Sequence, residues 1–190
     1  QDTADMASIT FDSLLFPGHP YGLPEDGYSE TVAAITRQDL IDFHAHNYGP
    51  QNMVVVIVGA VKPENVFDLF EQYFGAWQNQ KLTVKPSFPA IQAPQKTIRK
   101  HIVLHGKSQA DIIMGTLGPK RSAPEYLAAS LGNNILGQFG MMGRIGDTVR
   151  EKAGLAYYAS TSVNSWIESG SWEVSAGVNP KNIDQAIQLI

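Results

Sequence analysis

The sequence contains no cysteine. That excludes a disulfide framework, a cysteine-based zinc site and a cysteine nucleophile. It leaves the compartment open, since cysteine-free chains occur in all of them. No basic run is present and the formal charge is −4, so there is no electrostatic footprint for nucleic acid. No apolar run reaches the length needed to cross a bilayer as a helix. The common catalytic signatures are missing as well. There is no H-E-x-x-H or H-x-x-E-H, no Walker loop, no dinucleotide fingerprint and no G-x-S-x-G. The spacing Gly140-x-x-Gly143-x-x-Gly146 is glycine-rich but does not match G-x-G-x-x-G. No complete catalytic centre is legible in the chain alone.

What remains is a globular composition over 190 residues, enough for one domain plus an extension. Residues 1–16 have helical spacing at Phe11, Leu14 and Leu15, stopped by Pro17-Gly18. The segment 16–22, FPGHPYG, is a loop, and its His19 reads as a hydrogen-bonded or solvated loop histidine with no partner visible in the sequence. Thr36 and Asp39 form a capping box for a helix that breaks at Gly49-Pro50. His44 and His46 on that helix point about 200° apart and cannot share a metal.

Met53–Val58, MVVVIV, predicts a strand buried on both faces or at a sheet centre. Pro63 opens a helix whose Val66, Leu69, Phe70, Tyr73 and Phe74 make one apolar stripe. The proline-bearing stretch 76–96, with Pro86, Pro89 and Pro94, is a connecting segment. Alternation over 97–104 predicts a strand, followed by a second over 109–117, the two forming a hairpin. On a strand His101 and His105 lie roughly 13 Å apart, so they are set aside as a metal pair. Ser122 and Glu125 predict a capping box for a helix that carries Leu127, Leu131 and Ile135 on one face. Two further strands, 155–165 and 171–178, turn at Glu168-Ser169-Gly170. Asn179-Pro180 then opens a last amphipathic helix. This order predicts an α+β fold: a two-layer sandwich with a largely antiparallel sheet, packed by helices on one face.

The stretch 137–158, GQFGMMGRIGDTVREKAGLAYY, organises the rest. A loop with Gly137, Gly140 and Gly143 enters a short helix, Gly154 ends it, and a strand begins at once. Arg150 falls in the last helical turn and Tyr157 seven residues later at the strand start. A guanidinium fork and a phenol hydroxyl therefore meet near one corner. In purely structural terms, Arg150 suits a helix C-terminus, Gly154 a helix cap and Tyr157 a strand.

V-R-E-K-A-G-L-A-Y at this corner, the tract 35–75 and the loop FPGHPYG occur in the order that they have in the pitrilysin/insulinase-type zinc metallopeptidases, which include the mitochondrial processing peptidases. The chain resembles the C-terminal, non-zinc half of that family. The resemblance implies the processing-peptidase-like metallohydrolase fold. It also implies a clamshell of two homologous halves, of which the other carries zinc. Residues 1–49 would be the closing helices of a preceding half-domain and a linker. Residues 50–190 would be the non-zinc domain, cut short at its C-terminus, the whole being a piece of a longer protein. Arg150 and Tyr157 match the pair that the family presents to substrate at the facing zinc site, and Gly137, Gly140 and Gly143 match a substrate-capture loop less specifically. The implied function is a substrate-binding fragment of a zinc-dependent metalloendopeptidase, inactive alone. No cofactor is expected in this piece, and zinc is expected in the parent or in a partner half, in cis or in trans. The implied substrate is a peptide or unfolded polypeptide. The alternative is a non-catalytic structural or interaction subunit of the same fold.

Overall fold

A computed structural model of the chain describes residues 2–79, 81 and 87–190. Pro86, in the expected connecting segment, lies outside the described residues. Packing divides the chain into two compact units, one of residues 1–25 with 88–190 and one of residues 26–87.

The larger unit is built on a three-stranded antiparallel sheet of β1 (Ala110–Gly118), β2 (Ala156–Ser165) and β3 (Gly170–Val178), in the order β1-β3-β2. β2 and β3 form the expected hairpin. The sheet also carries α1 (Thr3–Leu15), α5 (Tyr126–Leu136), a π-helical segment (Gly146–Lys152) and α6 (Ile183–Leu189). The other unit holds α2 (Ser29–Ala34), α3 (Arg37–Asn47) and α4 (Pro63–Phe74). The α+β class and the antiparallel sheet are those the sequence predicts.

Strand alternation decides the two faces of the sheet. Val174, Ala176 and Val178 of β3 face Ala159 of β2 and Ile112 of β1 in the core, joined by Ile145 just before the π-helical segment, Val149 within it and Ala186 of α6. Its fully buried members are small or β-branched. The other face is polar. Ser160 and Ser175 Oγ atoms lie 3.2 Å apart, Asn164 donates to Ser171 at 3.0 Å, and Ser171 donates to Glu173 at 2.8 Å. α1 packs on β1, and its end turns into an aromatic cluster around the fully buried Phe16, with Tyr21 and Trp166 ring centroids 5.8 and 5.7 Å away.

His19 belongs to that cluster: of the two states left open by the sequence it is the hydrogen-bonded one, and it has partners that the sequence does not show. It is 4% exposed, packs against Tyr21 and Phe88, and accepts a hydrogen bond from the Tyr21 amide at 3.1 Å. Its burial comes from partners distant in sequence, Phe88 and the hairpin residue Trp166, which touches Phe16 and Tyr21.

Three expectations fail. Met53–Val58 is neither a strand nor buried, with Val54 at 86% and Val58 at 92% exposure. β-propensity describes fit to a pleated, half-covered surface, and no strand pairs with this run among the described residues. Residues 97–104 are likewise not a strand, so the hairpin with 109–117 does not form, and β1 pairs with β3 instead. The segment is tied to α6 through Arg99 and Asp184 at 3.0 Å, an exposed pair worth little. The Ser122 capping box is also absent. Residues 120–126 are spent on two successive turns, Ala123 N–H to Lys120 and Tyr126 N–H to Ala123, and α5 starts at Tyr126. α5 presents Gly132 to the Trp172 ring and buries Asn133, while Leu127, Leu131 and Ile135 are exposed.

In the smaller unit the Thr36–Asp39 capping box is complete. The hydrogen bonds from Thr36 hold the Asp39 carboxyl below its ordinary range. Asn79 donates to the carbonyls of Ala45 and Tyr48 at 2.7 and 2.5 Å, closing the end of α3. The stripe on α4 forms as a helix face, with Val66 and Phe70 partly buried but Leu69, Tyr73 and Phe74 exposed.

Candidate functional site

The corner at 146–158 departs from regular geometry three times in succession. The segment Gly146–Lys152 is π-helical. Ala153 N–H donates to Thr148 at 3.2 Å and Leu155 N–H reaches back to Val149 at 3.0 Å. Wide turns of this kind are frequent at functional sites. Gly154 follows with φ +65, the left-handed conformation expected of a glycine cap. β2 then pairs Ala156 with Val178 and Tyr158 with Gly177. Tyr157 has no partner on β3 and is the extra residue of a β-bulge. A bulge bends its strand and re-aims one side chain.

The sequence-predicted pair therefore has distinct supports. Arg150 follows Val149, which is fully buried in the core, and its own side chain is 39% exposed. Its Nε lies 3.7 Å from Glu151, a loose pair that leaves the guanidinium fork available. Tyr157 is 61% exposed. Both sit at the ends of one short corner whose middle is fixed by the Leu155-to-Val149 hydrogen bond.

The three glycines have structural duties. A Cβ on Gly143 would collide with Gly137 Cα and stand 2.8 Å from the Leu136 carbonyl oxygen. Gly140 has φ +58. The Gly137 carbonyl accepts from the Thr161 amide at 3.1 Å, and Asn133 donates to the Thr161 carbonyl at 3.3 Å. Thr161 lies on β2, an outer strand of the sheet, so this loop covers backbone groups that an edge strand would otherwise leave open.

Sequence reasoning missed the residue beside Tyr157. Tyr158 donates to Asp111 Oδ1 at 2.6 Å, and Gln109 Nε2 donates to the same carboxylate at 3.0 and 3.2 Å. Burial, then the Asp111 bond and the nearby Asp111 and Asp2 charges, push the Tyr158 phenol well above its ordinary value. It is a fixed neutral donor. Only the second tyrosine of the Y-Y pair hinted at this in the sequence, since the link to Asp111 spans two strands. On α1, burial chiefly, with the carboxylates of Glu173 and Glu25, raises Asp12 to about 6.

Among the described residues no group of three or more His, Cys, Asp or Glu side chains can hold a metal ion. The described residues do not fit a zinc site. No described helix is long and apolar enough to cross a membrane.

Residues 34–190 match the family model described as the peptidase M16 inactive domain. The chain belongs to that family. It is the inactive C-terminal domain of the M16 zinc proteases, in agreement with the pitrilysin-type resemblance. Over its full length it is 29% identical to an uncharacterised zinc protease of Mycobacterium leprae, covering 42% of that protein. It is 27% identical over 143 residues to subunit 1 of the mitochondrial cytochrome b-c1 complex of Rattus norvegicus, covering 73% of this chain and 29% of the subunit. The crystal structure of a peptidase M16 inactive domain from Pseudomonas fluorescens superposes with a TM-score of 0.87 at 28% identity, over 100% of this chain and 45% of that one. The M16 chain described here thus spans about two-fifths of the length of the M. leprae relative.

Proposed function

We propose that this M16 domain is the substrate-facing, non-zinc half of a zinc metalloendopeptidase. In this reading residues 1–49 close a preceding half-domain and link it to the domain of residues 50–190. Zinc resides in the facing half, in cis or in a partner subunit. The residues of this chain have two tasks. Tyr157 donates a hydrogen bond to the oxygen that gains charge when a peptide carbonyl is attacked. Arg150 holds a neighbouring peptide carbonyl or carboxylate in its planar fork. The glycine-spaced loop at 137–143 is a secondary contact for the peptide backbone.

The observation that carries this reading is the bulge at Tyr157, which gives an exposed phenol its own backbone irregularity one short corner from Arg150. A strand tyrosine with a packing role needs neither exposure nor a bulge.

The test is Tyr157→Phe in the full-length gene product together with its zinc-bearing half. Loss of one oxyanion donor costs roughly 2.7–4 kcal/mol of transition-state stabilisation, so kcat should fall by about 10²–10³ with an unchanged melting temperature. An unchanged kcat refutes the role.

A second reading has one observation in its favour. The likeness to a cytochrome b-c1 subunit supports a non-catalytic structural or interaction subunit of the same fold. Under it, the assembled full-length protein cleaves no peptide, and Tyr157→Phe alters neither activity nor assembly.

A further inference from the structure

A bulged residue lacks the cross-strand partner that fixes its neighbours. Tyr157 can hold one position only if the residues on either side of it are held. On one side, Ala156 packs against the core. On the other, Tyr158 is held by something more specific. Its side chain starts on β2, passes over β3 and ends at Asp111 on β1, with the hydroxyl 2.6 Å from Oδ1. The crossing is possible because β3 has glycine at the crossing point. A Cβ at Gly177 would collide with the Tyr158 ring and stand 2.8 Å from Gln109 Nε2. Gly177 is the residue paired with both Asp111 and Tyr158. Asp111 is itself held by Gln109.

We propose that Tyr158 and Asp111 are positioning residues: their hydrogen bond across the sheet clamps the bulge and so fixes the hydroxyl of Tyr157. The catalytic consequence rests on the function proposed above, whereas the clamp itself does not. A ring that merely filled space over Gly177 would serve equally well as phenylalanine. The clamp requires the hydroxyl and an acceptor, and Tyr158 keeps its proton as donor because burial and the Asp111 carboxylate both oppose its ionisation.

Two readouts on the full-length gene product separate the clamp from its consequence. The first places 3-fluorotyrosine at position 157 and records its fluorine resonance. One resonance is expected with Tyr158 present. Tyr158→Phe and Asp111→Leu should shift or split it, while Asp111→Asn, which keeps an acceptor oxygen, should restore the parent signal. A resonance unmoved by Tyr158→Phe overturns the clamp. The second readout is steady-state cleavage of a fluorogenic peptide. Tyr158→Phe should lower kcat at least tenfold with KM unchanged within twofold. In a Tyr157→Phe background it should cause no further loss. A further loss there means that Tyr158 acts by another route, and overturns positioning through Tyr157. If Tyr157→Phe leaves kcat unchanged while the fluorine signal still responds to Tyr158→Phe, the proposed function falls and the clamp stands.

Discussion

Replacing Asp12 with asparagine should stabilise the chain at neutral pH and leave it unchanged in acid. Asp12 lies on α1, half-buried, near the carboxylates of Glu173 and Glu25. Burial, then those two charges, raise its carboxyl from 3.8 to about 6. The folded chain therefore holds the proton more tightly than the unfolded chain. Stability from this group is complete below pH 3.8, where both states are protonated. It declines as the unfolded chain ionises first, and is lost once pH rises through about 6. At 1.36 kcal/mol per pH unit the rise corresponds to about 3 kcal/mol. Solvent screening of a half-exposed group reduces this to about 1–1.5 kcal/mol. Asp12→Asn removes the charge and keeps the shape. Urea unfolding of parent and variant at pH 3.5, 5 and 7.5 should give a difference near zero, then intermediate, then about 1–1.5 kcal/mol in favour of asparagine. A gain independent of pH, or a loss at pH 7.5, would refute the reasoning, because the ionised carboxylate would then not be the strained species.

Two further substitutions separate kinds of packing. Gly143→Ala should cost about 1–3 kcal/mol by thermal unfolding, because its new Cβ meets the backbone of Gly137 and Leu136, which cannot rotate away. Gly140→Ala meets nothing within 4 Å and should cost only the about 1–2 kcal/mol of a left-handed backbone; a larger penalty at 140 than at 143 contradicts the close approach. Phe16→Ala should cost about 3–5 kcal/mol, seen as a lower denaturation midpoint, since the ring is fully buried among Tyr21, His19 and Trp166. A cost below 1 kcal/mol would mean that the cluster closes over the vacancy.

Local signals were legible where the determinant is local. The helix of Pro63–Phe74, the Thr36–Asp39 box, the β2–β3 turn and the left-handed Gly154 each depend on residues a few positions apart. Signals failed where a distant partner decides. The MVVVIV run has every intrinsic preference for a strand, yet a strand exists only as part of a ladder. The periodicity of Leu127, Leu131 and Ile135 marks an apolar face of α5 correctly but gives no direction. Trp172 settles the direction, because its ring lies against Gly132, where a larger side chain would stand. The site divides in the same way. Arg150, Gly154 and Tyr157 could be read from spacing. The bulge could not, since it is a mismatch between β2 and the facing residues Gly177 and Val178 of β3, far along the chain beyond the hairpin turn.

That mismatch bears on whether the corner is merely a helix end meeting a strand. An ordinary junction needs one irregularity, the glycine cap. This one has a π-helical segment before the cap and a bulge after it, and each is a local departure that the sheet does not require. The core compensates for them: Val149 is fully buried against Val178 and Ala176, and the Leu155 amide bonds back across the turn. Departures of this kind persist when the surrounding structure over-determines them, and they collect where a side chain must be held in an unusual place. The two side chains at the ends of this corner are Arg150, on the turn whose widening sets its position, and Tyr157, the bulged residue. A corner serving only to connect would gain by becoming regular. Deleting Tyr157 should therefore leave a better-paired β2, with a melting temperature equal to or above that of the parent, and abolish turnover. A marked loss of stability on that deletion would assign the bulge to the fold instead.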